Sequence, residues 1–152
     1  MTTENIHYAV FEGVKTERGN EMVRGRSHWS SQRRWRNAWV ERIALKLGEG
    51  PYPKIHDKKL SPKLRRYVND TLKKGWPAKR RMRARVIVSR TRPLQDHDNF
   101  LTGLKGLIDA LNATGWMVDD KKENFELDML GSEEIQVKSR KETKTEVTIE
   151  YE

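Results

Sequence analysis

Acidic side chains crowd one segment of the chain, residues 96–120, which reads DHDNFLTGLKGLIDALNATGWMVDD. Asp96 and Asp98 stand at its start, and Asp119 and Asp120 stand at its end. Carboxylates gathered in one place repel one another, so they either take up protons or need a cation beside them. Carboxylate oxygens are the ligands that Mg²⁺ and Mn²⁺ prefer, and such an ion can activate water and stabilise charge on a phosphate group. These residue types therefore indicate metal-assisted hydrolysis at phosphate.

A helix from about residue 98 to about residue 113 is predicted to carry the middle of this segment. Successive residues of a helix turn by about 100°, which places Lys105, Asp109 and Asn112 within about 40° of Asp98. On that face, Lys105 could neutralise charge in a transition state or help to activate water. The opposite side of the helix is apolar and should anchor it in the core, through Phe100, Leu101, Leu104, Leu107, Ile108 and Leu111.

A simpler explanation of the acidic residues stays open. Acids at a helix N-terminus stabilise the helix through its dipole, and an amphipathic helix has a polar face in any case. This explanation accounts for Asp96 or Asp98, but not for Asp119, Asp120 and Lys105 together. Both interpretations therefore stand at this point.

Charge is divided unevenly along the chain, whose formal net charge is +9. Residues 54–92 contain fifteen Lys or Arg and two acids, whereas residues 93–134 contain ten acids and three Lys. A balance of this kind favours a polyanionic partner, above all nucleic acid. A charge-guarded, solvated edge strand is the alternative for the basic part. The arginines expected to contact phosphates are Arg81, Arg83, Arg85, Arg90 and Arg92, with Arg33 and Arg34 on the first helix.

The spacing of apolar residues predicts the order of secondary structure. A first strand lies near Tyr8, and two final strands centred on Val137 and Ile149 should form a hairpin around residues 140–144. Such an order predicts a single α+β domain over residues 1–152, in which helices cover a small mixed sheet. Between the outer strands we expect helices at about 31–47 and 62–74, a strand at about 81–90 and the helix at about 98–113.

The composition excludes several classes of protein. The chain has no cysteine, which excludes disulfides, thiolate metal sites and cysteine nucleophiles and is compatible with a reducing cytoplasm. It has no apolar run near the ~20 residues that a membrane span needs. Its opening residues lack the basic and apolar regions of a secretory signal. We therefore expect a cytoplasmic protein with no membrane partner.

The acidic segment resembles the RusA-like Holliday junction resolvases, which are crossover junction endodeoxyribonucleases. The family motif runs D-x-D-N, then Lys, then D-A-L, then a D-D pair. Looser matches join residues 24–43 to the family's N-terminal basic loop and first helix, and residues 134–151 to its final hairpin. The resemblance covers most of the chain, and the acidic segment is its specific part. That part is matched by Asp96-His97-Asp98-Asn99, Lys105, Asp109-Ala110-Leu111 and Asp119-Asp120.

This resemblance implies an endonuclease that depends on Mg²⁺, for which Mn²⁺ can substitute. Its substrate would be branched DNA, a Holliday junction, cut by paired hydrolysis of phosphodiester bonds. The protein would be an intimate homodimer with one active site for each of two opposed strands, in a bacterial or phage-infected cell. The residues implied are Asp96, Asp98, Lys105 and Asp120 for catalysis, Asp96, Asp98, Asp119 and Asp120 for the metal, and Asn99 and Asp109 in support.

The chain departs from the family pattern in three places, one of which is the stretch of residues 49–79, long and very basic for this family. Lys105 follows Asp98 by seven residues, where the shorter family pattern has four; both offsets return to nearly the same face of a helix. Residues 120–134 separate the acidic pair from the final strands and resemble an insertion. Two other functions compete with the nuclease. One is a non-catalytic nucleic-acid-binding module, and the other is a regulatory protein of phage or prophage origin.

Overall fold

The computed structural model describes residues 6–18, 29–52, 66, 80–91 and 94–152 of the chain. Arg66 aside, the helix predicted at about 62–74 lies outside the described residues, as does Arg92. The described elements, in chain order, are β1 (Ile6–Glu12), α1 (Trp29–Lys46), β2 (Met82–Arg90), α2 (His97–Thr102), α3 (Lys105–Ala113), β3 (Phe125–Leu127), β4 (Glu133–Gln136), a 3-10 turn (Arg140–Glu142) and β5 (Lys144–Tyr151).

The five strands form one mixed sheet, in which β5 lies between β1 and β2 and is antiparallel to both. Both β3 and β4 are parallel to β2 and share its other edge. Strand β3 pairs with residues 82–84 of β2, and strand β4 pairs with residues 87–90. The prediction of an α+β fold with a small mixed sheet is therefore confirmed.

Strand alternation divides the sheet into two faces, as two-residue periodicity requires. The inner face packs on the helices; for example, the rings of Phe11 on β1 and Trp39 on α1 meet edge to face, with centroids 5.4 Å apart. At Gly106 on α3, an added Cβ would stand 3.4 Å from the Cβ of Trp35, which shows that α3 packs directly against α1. The buried residues of the inner face are Ala9, Phe11, Met82, Ala84, Val86, Val88, Val147, Ile149 and Tyr151.

The prediction of a single helix at about 98–113 is wrong in one respect, because the chain forms two helices there. The Leu104 N–H donates to the Leu101 carbonyl at 3.1 Å, three residues back, so the chain tightens at the junction. Gly103 keeps a right-handed conformation with φ −67° and ψ −11°. The break therefore divides the segment into α2 and α3, with right-handed backbone at Gly103 between them.

The predicted hairpin between the last two strands is also wrong. Strands β4 and β5 both pair with β2, on its opposite edges, so they do not pair with each other. The connecting segment contains the 3-10 turn, in which the Ser139 side chain accepts a hydrogen bond from the Lys141 N–H at 3.2 Å. The polar segment was correctly placed as a connection, but it crosses over β2 instead of turning back beside β4.

A turn at residues 128–132 joins β3 to β4 along the same edge of β2. Asp128 accepts from the Gly131 N–H at 2.9 Å, and the Ser132 N–H donates to the Asp128 carbonyl at 2.9 Å. The Ser132 hydroxyl accepts from the Val86 N–H at 3.0 Å, a backbone donor left between the two paired stretches of β2. At the tip of this turn, Leu130 is 99 % exposed.

No helix in the described ranges has both the length and the apolar character needed to cross a membrane.

Candidate active site

Asp96 immediately precedes α2, in the segment that follows β2, and Asp98 lies in the first turn of α2. The Asp96 carbonyl accepts from the Phe100 N–H at 2.9 Å and so begins the helix, while the Asp96 carboxylate does not cap it. The Asp98 carbonyl accepts from the Thr102 hydroxyl at 2.9 Å. Both carboxylates are exposed, and neither forms an ion pair or a side-chain hydrogen bond within the described residues. Asn99 is half-buried in the same turn, and its carbonyl accepts a hydrogen bond from the Gly103 N–H.

The residues that alternate with these aspartates hold the segment in place. The Gln95 N–H and side-chain Nε2 donate to the two carboxylate oxygens of Glu134, each at 3.1 Å. The His97 Nε2 donates to the Met129 carbonyl at 2.8 Å. Positions 95 and 97 are thus tied to the neighbouring segment, and positions 96 and 98 are left facing solvent.

Glu134 is itself held by a buried cation. Its Oε2 lies 2.6 Å from Nε of Arg90, and the two side chains are only 3 % and 1 % exposed. Arg90 also donates through one terminal nitrogen to the carbonyl and the hydroxyl of Thr16, at 3.3 and 3.2 Å. Arg90 was expected to contact DNA phosphate at the surface. That expectation is corrected, because the guanidinium is buried and joins three segments of the fold.

Lys105 is the first residue of α3, and its ammonium lies 3.5 Å from the Asp109 carboxylate one helical turn later. Their side chains are 55 % and 39 % exposed, so the pair is solvated and contributes little to stability. The helix break separates Lys105 from Asp98, which belongs to α2. The predicted polar face is therefore carried by two helices.

Asp119 and Asp120 lie near the opposite end of β2 from Asp96 and Asp98. The Asp119 carboxylate accepts from the Asn124 side chain at 2.9 Å. The Asn124 carbonyl in turn accepts from the N–H of Met82, the first residue of β2, at 2.9 Å. Asp119 is thus fixed, through Asn124, near the beginning of this strand.

The Asp96 segment is fixed to the end of the same strand, through Glu134, which pairs in register with Val88. The two anchor points on β2, Met82 and Val88, are six residues apart along the strand, which is about 20 Å at about 3.3 Å per residue. Consequently, the two ends of the acidic motif do not meet within one subunit. Residues 97–113, which form α2 and α3, span much of the same distance.

The four predicted metal ligands are not gathered into one group within the described residues of a single subunit. Within the described ranges, which include all four predicted ligands, no three His, Asp or Glu side chains come close enough together to hold a metal ion. The sequence motif thus yields an exposed Asp96–Asp98 pair at one end of β2 and a separately bonded Asp119 at the other.

The predicted phosphate-contacting arginines fall into different environments. Arg81 lies 3.7 Å from both Glu126 and Glu152. Arg83 lies 3.4 Å from Asp128 and 3.9 Å from Glu126. The remaining described members, Arg33, Arg34 and Arg85, are exposed and have no ion-pair partner within the described part of the chain.

Sequence reasoning missed Glu134 and Gln95, although one signal for them was present. The alternation that predicts a buried face for Val86 and Val88 also puts Arg90 on that face. A buried guanidinium needs an acidic partner, and the strand that follows the acidic segment supplies one.

A scan against protein-family models, a search of curated proteins and a search of solved structures each found no match.

Proposed function

We propose that the protein is a structure-selective endodeoxyribonuclease that resolves four-way branched DNA by paired phosphodiester hydrolysis. The observation that carries the proposal is the presentation of Asp96 and Asp98. Both carboxylates are exposed and have no side-chain partner among the residues that the structure describes, on a backbone held by Gln95 and His97 at alternate positions. Free carboxylates on a fixed backbone are what an enzyme needs to orient or deprotonate an attacking water molecule.

Phosphodiester hydrolysis requires a water oxygen to attack phosphorus while the bond to one ester oxygen breaks. An exposed aspartate could accept the proton of that water, and a cation nearby would stabilise the additional negative charge on the phosphate. Lys105, whose ammonium is solvated beside Asp109, is the proposed source of that positive charge. Mg²⁺, with Mn²⁺ as a substitute, belongs to the proposal on the sequence resemblance alone.

DNA would be held by the basic part of the chain, in keeping with the net charge of +9. Arg85, Arg33 and Arg34 are the described arginines best suited to phosphate contact, because they are exposed and have no acidic partner there. Paired cuts on opposed strands need two active sites, so a homodimer is part of the proposal. The setting proposed is the cytoplasm of a bacterial or phage-infected cell.

The test is cleavage of a labelled synthetic four-way junction, in the presence and absence of Mg²⁺ or Mn²⁺, beside a linear duplex of matched sequence. We expect paired nicks that depend on the metal and occur only in the junction. Tight binding of the junction without cutting in either metal would refute the nuclease.

That outcome would favour a second candidate, a non-catalytic nucleic-acid-binding protein. One observation speaks for it: the described carboxylates do not converge into a metal-holding set. Such a protein would bind DNA equally well without a divalent ion, and its binding would survive the loss of Asp98.

A further inference from the structure

We infer that Glu134, neutralised by Arg90, is a positioning residue that fixes the backbone at Gln95 and thereby sets where the Asp96 and Asp98 carboxylates stand. The inference rests on the proposed function for its consequence in catalysis. Its structural part, the restraint of the Asp96 segment, can be measured without any cleavage.

The hydrogen bonds to Glu134 require a carboxylate. One oxygen accepts from the Gln95 N–H, and the other accepts from the Gln95 side chain and lies 2.6 Å from Arg90 Nε. All three partners are donors. A glutamine at position 134 would turn an NH₂ group toward at least one of them, so it could not satisfy the same set.

The burial of this pair makes the restraint stiff. Two charges held at 1 % and 3 % exposure lie in a medium of low dielectric, where each polar contact is stronger than in water and an unpaired group is costly. Arg90 is further fixed by Thr16, which follows β1. The position of Gln95 is thus set by residues from three other parts of the fold.

The restraint reaches the proposed site over a single peptide bond. Gln95 directly precedes Asp96, whose carbonyl accepts the first hydrogen bond of α2. Release of Gln95 would let the start of that helix shift. A displacement of about 1 Å in a reacting group can lower a rate by about 100-fold.

The chain offers matched controls for the test. Glu134→Gln is compared with Glu133→Gln, which changes the adjacent glutamate, an exposed residue on the opposite face of β4. Gln95→Met is compared with Gln136→Met, whose side chain makes only a 3.5 Å contact with the Thr91 carbonyl. Gln95→Met leaves the Arg90–Glu134 pair intact, so it serves as the test if Glu134→Gln fails to fold.

The first readout is amide hydrogen exchange in the full-length, metal-free protein. Exchange at residues 94–98 should be about 10-fold faster or more in Glu134→Gln, with β5 unchanged, because an amide at position 134 cannot accept from both donors of Gln95 and face Arg90 as well. Gln95→Met loses only the side-chain bond and keeps the N–H bond at position 95, so its exchange should exceed that of Gln136→Met by a smaller factor. Exchange as slow as in the control variants, in a folded protein, would overturn the inference.

The second readout is the single-turnover rate of junction cleavage, set against the Kd for the junction. We expect the rate to fall about 10- to 100-fold while the Kd changes by less than about twofold, because a positioning residue acts on the reacting groups and not on DNA affinity. A Glu134→Gln protein that cuts as fast as Glu133→Gln would also overturn the inference. If the wild-type protein cuts no junction, the proposed function fails, and hydrogen exchange alone then decides whether Glu134 holds the segment.

Discussion

Arg83 and Arg85 project from the same face of β2, two residues apart, but only Arg83 has acidic partners within the described ranges. In register, Arg83 stands between Glu126 on β3 and Glu150 on β5. Arg85 stands opposite Thr148. The same strand thus carries one arginine paired with acidic neighbours and one that forms no ion pair within the described residues.

This difference predicts that Arg85→Ala will weaken junction binding more than Arg83→Ala. Loss of one phosphate contact should lower the slope of log K against log salt by about 1. The measurement is a titration of labelled junction at several salt concentrations. Arg83→Ala is the matched control, and equal slopes for Arg85→Ala and the wild-type protein would show that this face does not contact DNA.

Asp98→Asn should abolish cleavage while leaving junction binding intact or slightly stronger, because a negative charge near phosphate is removed without a change of shape. Single-turnover cleavage and Kd are measured on the same preparation. The matched control is Asp120→Asn, which changes an exposed aspartate beyond the other end of β2.

We expect Asp120→Asn to keep at least about half of the cleavage rate, since about 20 Å of strand separates the points on β2 to which the two ends of the motif are anchored within a subunit. An equally complete loss of activity in both variants would mean that Asp120 reaches the site from a second subunit. Cutting that persisted in Asp98→Asn would refute the assignment of the site.

Lys105→Ala should lower the rate of cleavage more than it lowers DNA affinity. In the proposed mechanism the ammonium acts on charge that develops during the reaction, and such interactions appear in turnover and not in ground-state binding. The solvated pair with Asp109 contributes little to folding, so the melting temperature should change by no more than a few degrees. Lys121→Ala, at an exposed lysine, is the control, and a similar drop in both variants would argue against a specific role for Lys105.

Tyr151 provides a prediction on stability and pH. Its hydroxyl donates to the Trp116 carbonyl in the core, and burial raises the pKa of this phenol far above its usual range, with Tyr52 adding to the effect. Tyr151→Phe removes the hydroxyl that donates to the Trp116 carbonyl, and this loss should lower the free energy of unfolding by about 1–2 kcal/mol at neutral pH.

The difference in stability between the wild-type protein and Tyr151→Phe should become smaller at high pH. The Tyr151 phenol of the unfolded chain loses its proton near pH 10, the ordinary pKa of tyrosine, whereas the folded protein keeps that proton. The free energy of unfolding of the wild-type protein therefore falls as the pH rises from about 10 toward the pKa of Tyr151 in the folded state. Tyr151→Phe lacks this dependence. Denaturant unfolding of both proteins between about pH 8 and pH 11.5 checks it, and a constant difference would contradict the raised pKa.

The parts of the fold that follow from local periodicity were predictable. The strand expected at about 81–90 and the helix expected at about 31–47 both form, with Val86 and Val88 buried on the strand and Trp39 and Ile43 buried on the helix. The pairing of strands was not predictable in the same way. Whether β4 turns back beside β5 or crosses to the far edge of β2 depends on long-range contacts such as the bond from the Val137 N–H to the Arg90 carbonyl.

The site was predictable in composition but not in arrangement. The Asp96–Asp98 pair is exposed and lies at a helix start, as expected. The angles assigned along one continuous helix could not account for the break at Gly103, which no single residue signals strongly. Nor could spacing reveal that Glu134 would face inward, since that depends on the buried guanidinium of Arg90.

The turn at residues 128–132 has a practical consequence for anyone who wishes to modify this chain. Strands β3 and β4 each take their register from β2, and the turn between them is closed by its own hydrogen bonds, with Leu130 at its tip. Lengthening a closed surface loop costs only about 0.6 kcal/mol for each doubling, and exposed tips tolerate insertion. A fluorophore-bearing cysteine or a short epitope at position 130 would therefore report on the protein without shifting either strand.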